Sequence, residues 1–218
     1  MKYRCLILDH DDTVVNSTAT VHYPSFVEFM DRYFGGTQYT LEDYFTYNFD
    51  PGVLAFFHEM IGLSDAEMKA EEQFWRDYVE DHIPPVFPGI RALLWDYKEA
   101  GGIIAVISHS YGDYIRRDYR ADGLPEPDFV HGWEVPLERR KPLPDSVFEI
   151  LDRFSLRPEE VLVVDDLKPG CDMAKAAGVP FAAAGWAHSI PAIEQVMRRE
   201  TPLYFKTVEA LREHLEID

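Results

Sequence analysis

Leu6-Ile7-Leu8-Asp9-His10-Asp11-Asp12-Thr13 is the stretch from which the fold can be read. The run Cys5 to Leu8 is apolar and too short for a helix, so it reads as a buried strand. It breaks off into Asp9, Asp11 and Asp12. Carboxylates gathered at the end of a buried strand repel one another and must each be desolvated, so a cation is expected among them. An all-oxygen cluster suits a hard ion such as Mg2+. Taken alone, the same residues also fit a solvated acidic turn after an edge strand.

Outward from this strand the chain changes character twice. Residues 18–87 show helical periodicity and many aromatics but no convincing strand, which predicts a small helical unit inserted after the first strand. Phe26, Phe29, Met30, Tyr33 and Phe34 recur at helical spacing before Gly35-Gly36. Thr40 opens a second helix, Asp50-Pro51 a third, and Ser64 a fourth with a capping-box pattern. Residues 1–17 and 88–218 form the second region, where apolar runs at Ile103–Ile107, Phe129-Val130, Val161–Val164 and Pro180–Ala184 alternate with helical segments. The expected fold is therefore α/β: a doubly wound, Rossmann-like parallel sheet interrupted by a small helical insert.

In such a sheet ligands bind beyond the carboxyl ends of the strands. After Leu8 come Asp9 and Asp11; after Ile107 come Ser108, His109 and Ser110; after Val164 come Asp165 and Asp166. Lys141, in the turn-like Lys141-Pro142-Leu143-Pro144, lies between the last two groups. Acids, hydroxyls and a lysine thus converge on one edge.

Composition narrows the choice of partners. Of 218 residues, 46% are hydrophobic and 14% aromatic, a globular balance. The formal charge of −18 repels phosphate backbones and anionic lipid, so neither nucleic acid nor membrane is expected as a partner. Cys5 and Cys171 are far apart and read as buried thiols of a reducing compartment. With no signal-peptide pattern after Met1 and no membrane-length apolar run, a cytoplasmic protein, monomeric or homodimeric, is expected.

Asp9-His10-Asp11-Asp12-Thr13, Ser108, Lys141 and Asp165-Asp166 resemble, in order and spacing, the four motifs of the haloacid dehalogenase-like hydrolases. The helical insert resembles the cap of the branch containing phosphoglycolate phosphatase and β-phosphoglucomutase. The resemblance implies an Mg2+-dependent phosphatase acting on a small phosphorylated metabolite. Asp9 would be the nucleophile that forms an aspartyl-phosphate, and Asp11 the acid and base. Asp9, the Asp11 carbonyl, Asp165 and Asp166 would hold the metal; Ser108, His109 and Lys141 would bind phosphate.

The departures from the pattern carry their own expectations. Asp12 replaces a usual glycine and is expected to point outward; Gly170 stands where a further acid is often found. His10 replaces a usual apolar residue, and two placements stay open: towards the substrate or packed at the seam between core and cap. His22 falls one position beyond the spacing of the mutase's proton-handling histidine and is a candidate substrate contact. Glu67, Glu71 and Glu72 read as a solvated face. Two alternatives remain, a phosphomutase and a non-catalytic binding protein on the same fold. Dehalogenation is disfavoured because Asp11 is retained. Phosphonate cleavage is disfavoured because Lys69, the one lysine of residues 18–87, lies on a strongly charged helix.

Overall fold

A computed structural model describes residues 1–217. They divide into two compact units, Met1–Asn16 with Val86–Asp218, and Ser17–Pro85. The division differs slightly from that expected from sequence, with reason. Val86 bridges Val15, and the Phe87 amide donates to the Val14 carbonyl at 3.0 Å, so both residues belong to the first unit.

The first unit is a six-stranded parallel sheet, with strands β1 (Cys5–Leu8), β2 (Ile103–Ile107), β3 (Phe129–His131), β4 (Val161–Asp165), β5 (Phe181–Ala184) and β6 (Tyr204–Phe205). Their order is β3-β2-β1-β4-β5-β6. The chain leaves β1 on one side towards β2 and on the other towards β4, which makes β1 the switch point where a doubly wound sheet opens a crevice. The strands are continuous apolar runs because both faces are covered. Leu6, Leu8, Ile104, Val106, Leu162 and Val164 are buried in one cluster with Leu93, Leu94, Tyr97, Ile115 and Tyr119 from the covering helices. The fold is Rossmann-like α/β.

Between β1 and β2 the second unit supplies α1 (Tyr23–Phe34), α2 (Leu41–Phe49), α3 (Val53–Ala55, continued as a π-helical stretch over Phe56–Ile61) and α4 (Asp65–Asp81). Gly35, at φ 77°, ends α1 in the left-handed conformation that favours glycine. Thr40 with Asp43, and Ser64 with Glu67, form capping boxes that satisfy the free amides of α2 and α4. The aromatic stripe is core: Phe26, Phe29, Tyr44, Phe56 and Phe57 are buried against one another. In the first unit α5 (Ile90–Glu99), α6 (Gly112–Ala121), α7 (Asp145–Arg153), α8 (Lys168–Ala177), α9 (Pro191–Glu200) and α10 (Val208–Leu215) complete the sheet's coverage. Among the described residues, no helix is long and apolar enough to cross a membrane.

Candidate active site

Strand register builds the site. Leu8 pairs with Val106 on one side and Val164 on the other, so the next residues along, Asp9, Ile107 and Asp165, emerge at one level. The Asp9 amide donates to the Val164 carbonyl at 2.9 Å, and the Ser108 amide to the His131 carbonyl at 3.0 Å. Asp9, Ser108, Lys141, Asp165 and Asp166 are all buried.

Lys141 is the cation of this cluster. Its Nζ donates to Asp165 Oδ2 at 2.8 Å and lies 3.0 Å from Asp9 Oδ1, an ion pair without hydrogen-bond alignment. Burial opposes the ammonium charge, yet Asp165 and Asp9 outweigh it and raise the Lys141 pKa. One ammonium does not neutralise the acids around it. Burial, opposed by Lys141 and reinforced by Asp9, pushes Asp165 up to about 7, and burial with Asp12, Asp165 and Asp9 drives Asp166 well above the carboxylate range. These groups titrate as one unit whose protons a second cation would displace.

The donor set fits such a cation. Asp9, Asp165 and Asp166 each offer a carboxylate oxygen, all within 4.8 Å of one another. Asp9 Oδ1 is buried without a hydrogen bond, and hard oxygen donors suit a divalent ion. The three acids are not equivalent. Asp165 is spent on Lys141 and, through Oδ1, on the Leu167 amide at 2.8 Å. Asp166 accepts from the Thr13 hydroxyl at 3.3 Å through one oxygen, so Asp9 and Asp166 are better placed to meet the ion directly. Thr13, to which the motif assigns no role, is thereby a residue of the site.

Beyond β2, Ser108 Oγ accepts from the Ser110 amide at 3.2 Å, which leaves the Ser108 hydroxyl proton for a ligand. His109 keeps an exposed face, and its Nε2 lies 3.3 Å from the Lys141 carbonyl, which can only accept. Burial of part of the ring, with Lys141 nearby, lowers its pKa to about 4 against the opposing pull of Asp9, so it is neutral near pH 7. Asp11 is half-buried and bridges Val15.

Asp12 and Glu71 depart from expectation, and the side chains of His10 and His22 are tied to partners within the protein. Asp12 is buried rather than pointing outward. It takes φ 55°, which aspartate tolerates better than most residues, and its charge contributes to the rise of Asp166. His10 is turned into the protein, with Nε2 donating to Asp118 Oδ2 at 3.0 Å and its ring stacked on Tyr119, so the side chain is not free for a substrate. In the second unit, His22 Nδ1 accepts from Trp75 Nε1 at 2.9 Å. Glu71 is half-buried and is not part of a solvated face; burial, opposed by His22, pushes it up to about 7.

Gly170 has a steric task. A Cβ there would stand 2.1 Å from Asp165 Oδ2 and 2.3 Å from its Cγ. Gly170→Ala is expected to displace Asp165 from Lys141, lowering stability by about 1–3 kcal/mol and reducing turnover at least tenfold. Thermal denaturation beside a rate measurement checks both; unchanged values would mean that α8 shifts freely.

With its motifs assembled at one sheet edge, the chain belongs to the haloacid dehalogenase-like hydrolases, whose family model matches residues 6–184. It is similar to hexitol phosphatase A of Escherichia coli K12, 31% identical over 144 residues, covering 64% of this chain and 65% of that protein. It is also similar to the phosphoglycolate phosphatase of Pasteurella multocida, 25% identical over 139 residues and 61% of each chain. Both matches span just under two thirds of the relative's own length. A crystal structure of a Bacteroides fragilis haloacid dehalogenase-like hydrolase superposes with a TM-score of 0.73 at 25% identity, covering 89% of this chain and 93% of that one.

Proposed function

We propose that the protein is an Mg2+-dependent phosphatase that removes the phosphoryl group from a small phosphorylated metabolite through an aspartyl-phosphate on Asp9. The observation that carries this reading is the buried Asp9 carboxylate, held beside Lys141 within a cluster of acids that lacks enough positive charge. The similar hexitol and phosphoglycolate phosphatases support a sugar-, polyol- or hydroxyacid-phosphate as substrate.

Asp9 attacks phosphorus in line with the departing alcohol oxygen. Asp11, two residues on, gives that oxygen its proton and then takes one from the water that hydrolyses the acyl phosphate. Ser108 donates to a phosphoryl oxygen, and Lys141 offsets the charge of Asp9 and the transferring group together. Asp9, the Asp11 carbonyl and Asp166, with Asp165 behind them, would hold Mg2+, which would neutralise charge on the dianionic substrate and the attacking carboxylate. The helical unit Ser17–Pro85 acts as the cap that selects the substrate.

A panel of phosphorylated metabolites tests the reading, with phosphate release measured in Mg2+ and in EDTA. Metal-dependent release from one chemical class is the expected result. Isomerised sugar phosphates without release would replace the phosphatase by a mutase, and silence across the panel would contradict both.

A further inference from the structure

His10 lies between the proposed nucleophile and the proposed acid, yet its side chain faces away from both roles. It is 1% exposed, and its polar tether is Nε2 to Asp118 of α6, itself 2% exposed. Asp118 Oδ1 in turn accepts from Arg117 Nε at 2.8 Å, and Arg117 Nη2 lies 2.7 Å from the same oxygen as an ion pair without hydrogen-bond alignment. The Arg117 guanidinium lies over the Tyr114 ring at 5.1 Å. The His10 ring stacks on Tyr119 at 6.0 Å, and its Nδ1 is buried without a hydrogen bond.

This arrangement is a poor way to gain stability. A buried carboxylate and an orphaned ring nitrogen both carry desolvation costs that an apolar pair of similar volume avoids. What the polar contact adds is direction. A leucine at position 10 would fill volume, whereas the bond to Asp118 fixes the ring's angle. His10 is also the hub of the turn, its carbonyl accepting from the Val14 amide at 2.9 Å and the Val15 amide at 3.1 Å. Helix α6 begins directly after Ser108-His109-Ser110-Tyr111, and its first amide, Gly112 N–H, is held by Glu134 at 3.0 Å. The His10–Asp118 bond therefore joins the turn carrying Asp9 and Asp11 to the helix that comes after the Ser108 loop.

We propose that His10, Asp118 and Arg117 form a positioning chain that holds the Asp9–Asp11 turn in register with the Ser108 loop. What the held groups do rests on the phosphatase reading; the holding itself does not. The test uses His10→Leu in the full chain, with Asp118→Asn as a second variant that keeps an acceptor for the ring. His10→Leu leaves Asp118 Oδ2 without its ring partner, so it is expected to lower the thermal midpoint by a few degrees, to lower kcat at least tenfold and to leave KM within threefold. Backbone amide exchange at Val14 and Val15 should accelerate at least tenfold more than exchange across Val161–Asp165. Asp118→Asn should fall between wild type and His10→Leu in both readouts, and it carries the test if His10→Leu fails to fold.

Unchanged exchange at Val14 and Val15 would overturn the proposal. So would acceleration by one factor across every strand, which marks a purely structural role. If the wild type releases no phosphate from any substrate, the phosphatase reading fails and amide exchange still decides this one.

Discussion

Lys141→Met is expected to cut turnover at least a thousandfold and to destabilise the metal-free protein by about 3–5 kcal/mol, the cost of leaving a buried charge without its partner. Nζ lies 2.8 Å from Asp165 and 3.0 Å from Asp9, and all three side chains are buried. Methionine keeps the length and removes the charge, so Asp9 and Asp165 face each other across an apolar thioether. Asp165 then loses the cation that opposes its rise, and Asp9 loses the charge that lies beside it. Acid should conceal the stability defect, because protonation removes the same repulsion. Denaturant titrations near pH 8 and near pH 5 check this; an equal loss at both would mean that packing rather than charge is what Lys141 provides.

Metal and pH should act on the same carboxylates in opposite directions. Asp165 sits at about 7 and Asp166 is raised as well, both above the ordinary unfolded value. The folded metal-free state therefore binds protons that the unfolded chain has already released. From these groups, stability is greatest below the unfolded carboxylate pKa and is lost as pH rises towards 7, by an amount on the order of 2–4 kcal/mol. A divalent ion competes with those protons, so its stabilisation should grow with pH. Thermal midpoints in EDTA and in Mg2+, taken near pH 5.5 and near pH 8, read this directly. The gap between the two should widen at the higher pH; a constant or narrowing gap would remove the acid cluster as the metal site.

Much of this architecture is legible in the residues because it is local. Cys5–Leu8, Ile103–Ile107 and Val161–Asp165 are largely apolar runs, and each leads straight into residues of the site. Capping by Ser64 and Thr40 is equally local. Strand β6 carries no such signal: it is a half-buried pair of residues at the sheet edge, too short for any periodicity. The fate of His10 was out of reach for a different reason. Its partner Asp118 is 108 residues away, in a separate helix. One signal was available, since Asp118 lies beside Tyr119 and three residues after Ile115, and so next to the buried face of α6. Asp12 misled because an acid in a turn normally faces water; here it is buried near Asp166.

The most direct test of the account is phosphate release in Mg2+ by wild type and by Asp9→Asn, on the best substrate of the panel. Asparagine keeps the shape of the side chain and removes its nucleophilicity. The account predicts loss of at least ten-thousandfold in kcat, with a folded protein of similar thermal midpoint that still binds the substrate. Turnover persisting within tenfold of wild type would contradict it, since phosphate would then leave without ever being bonded to Asp9.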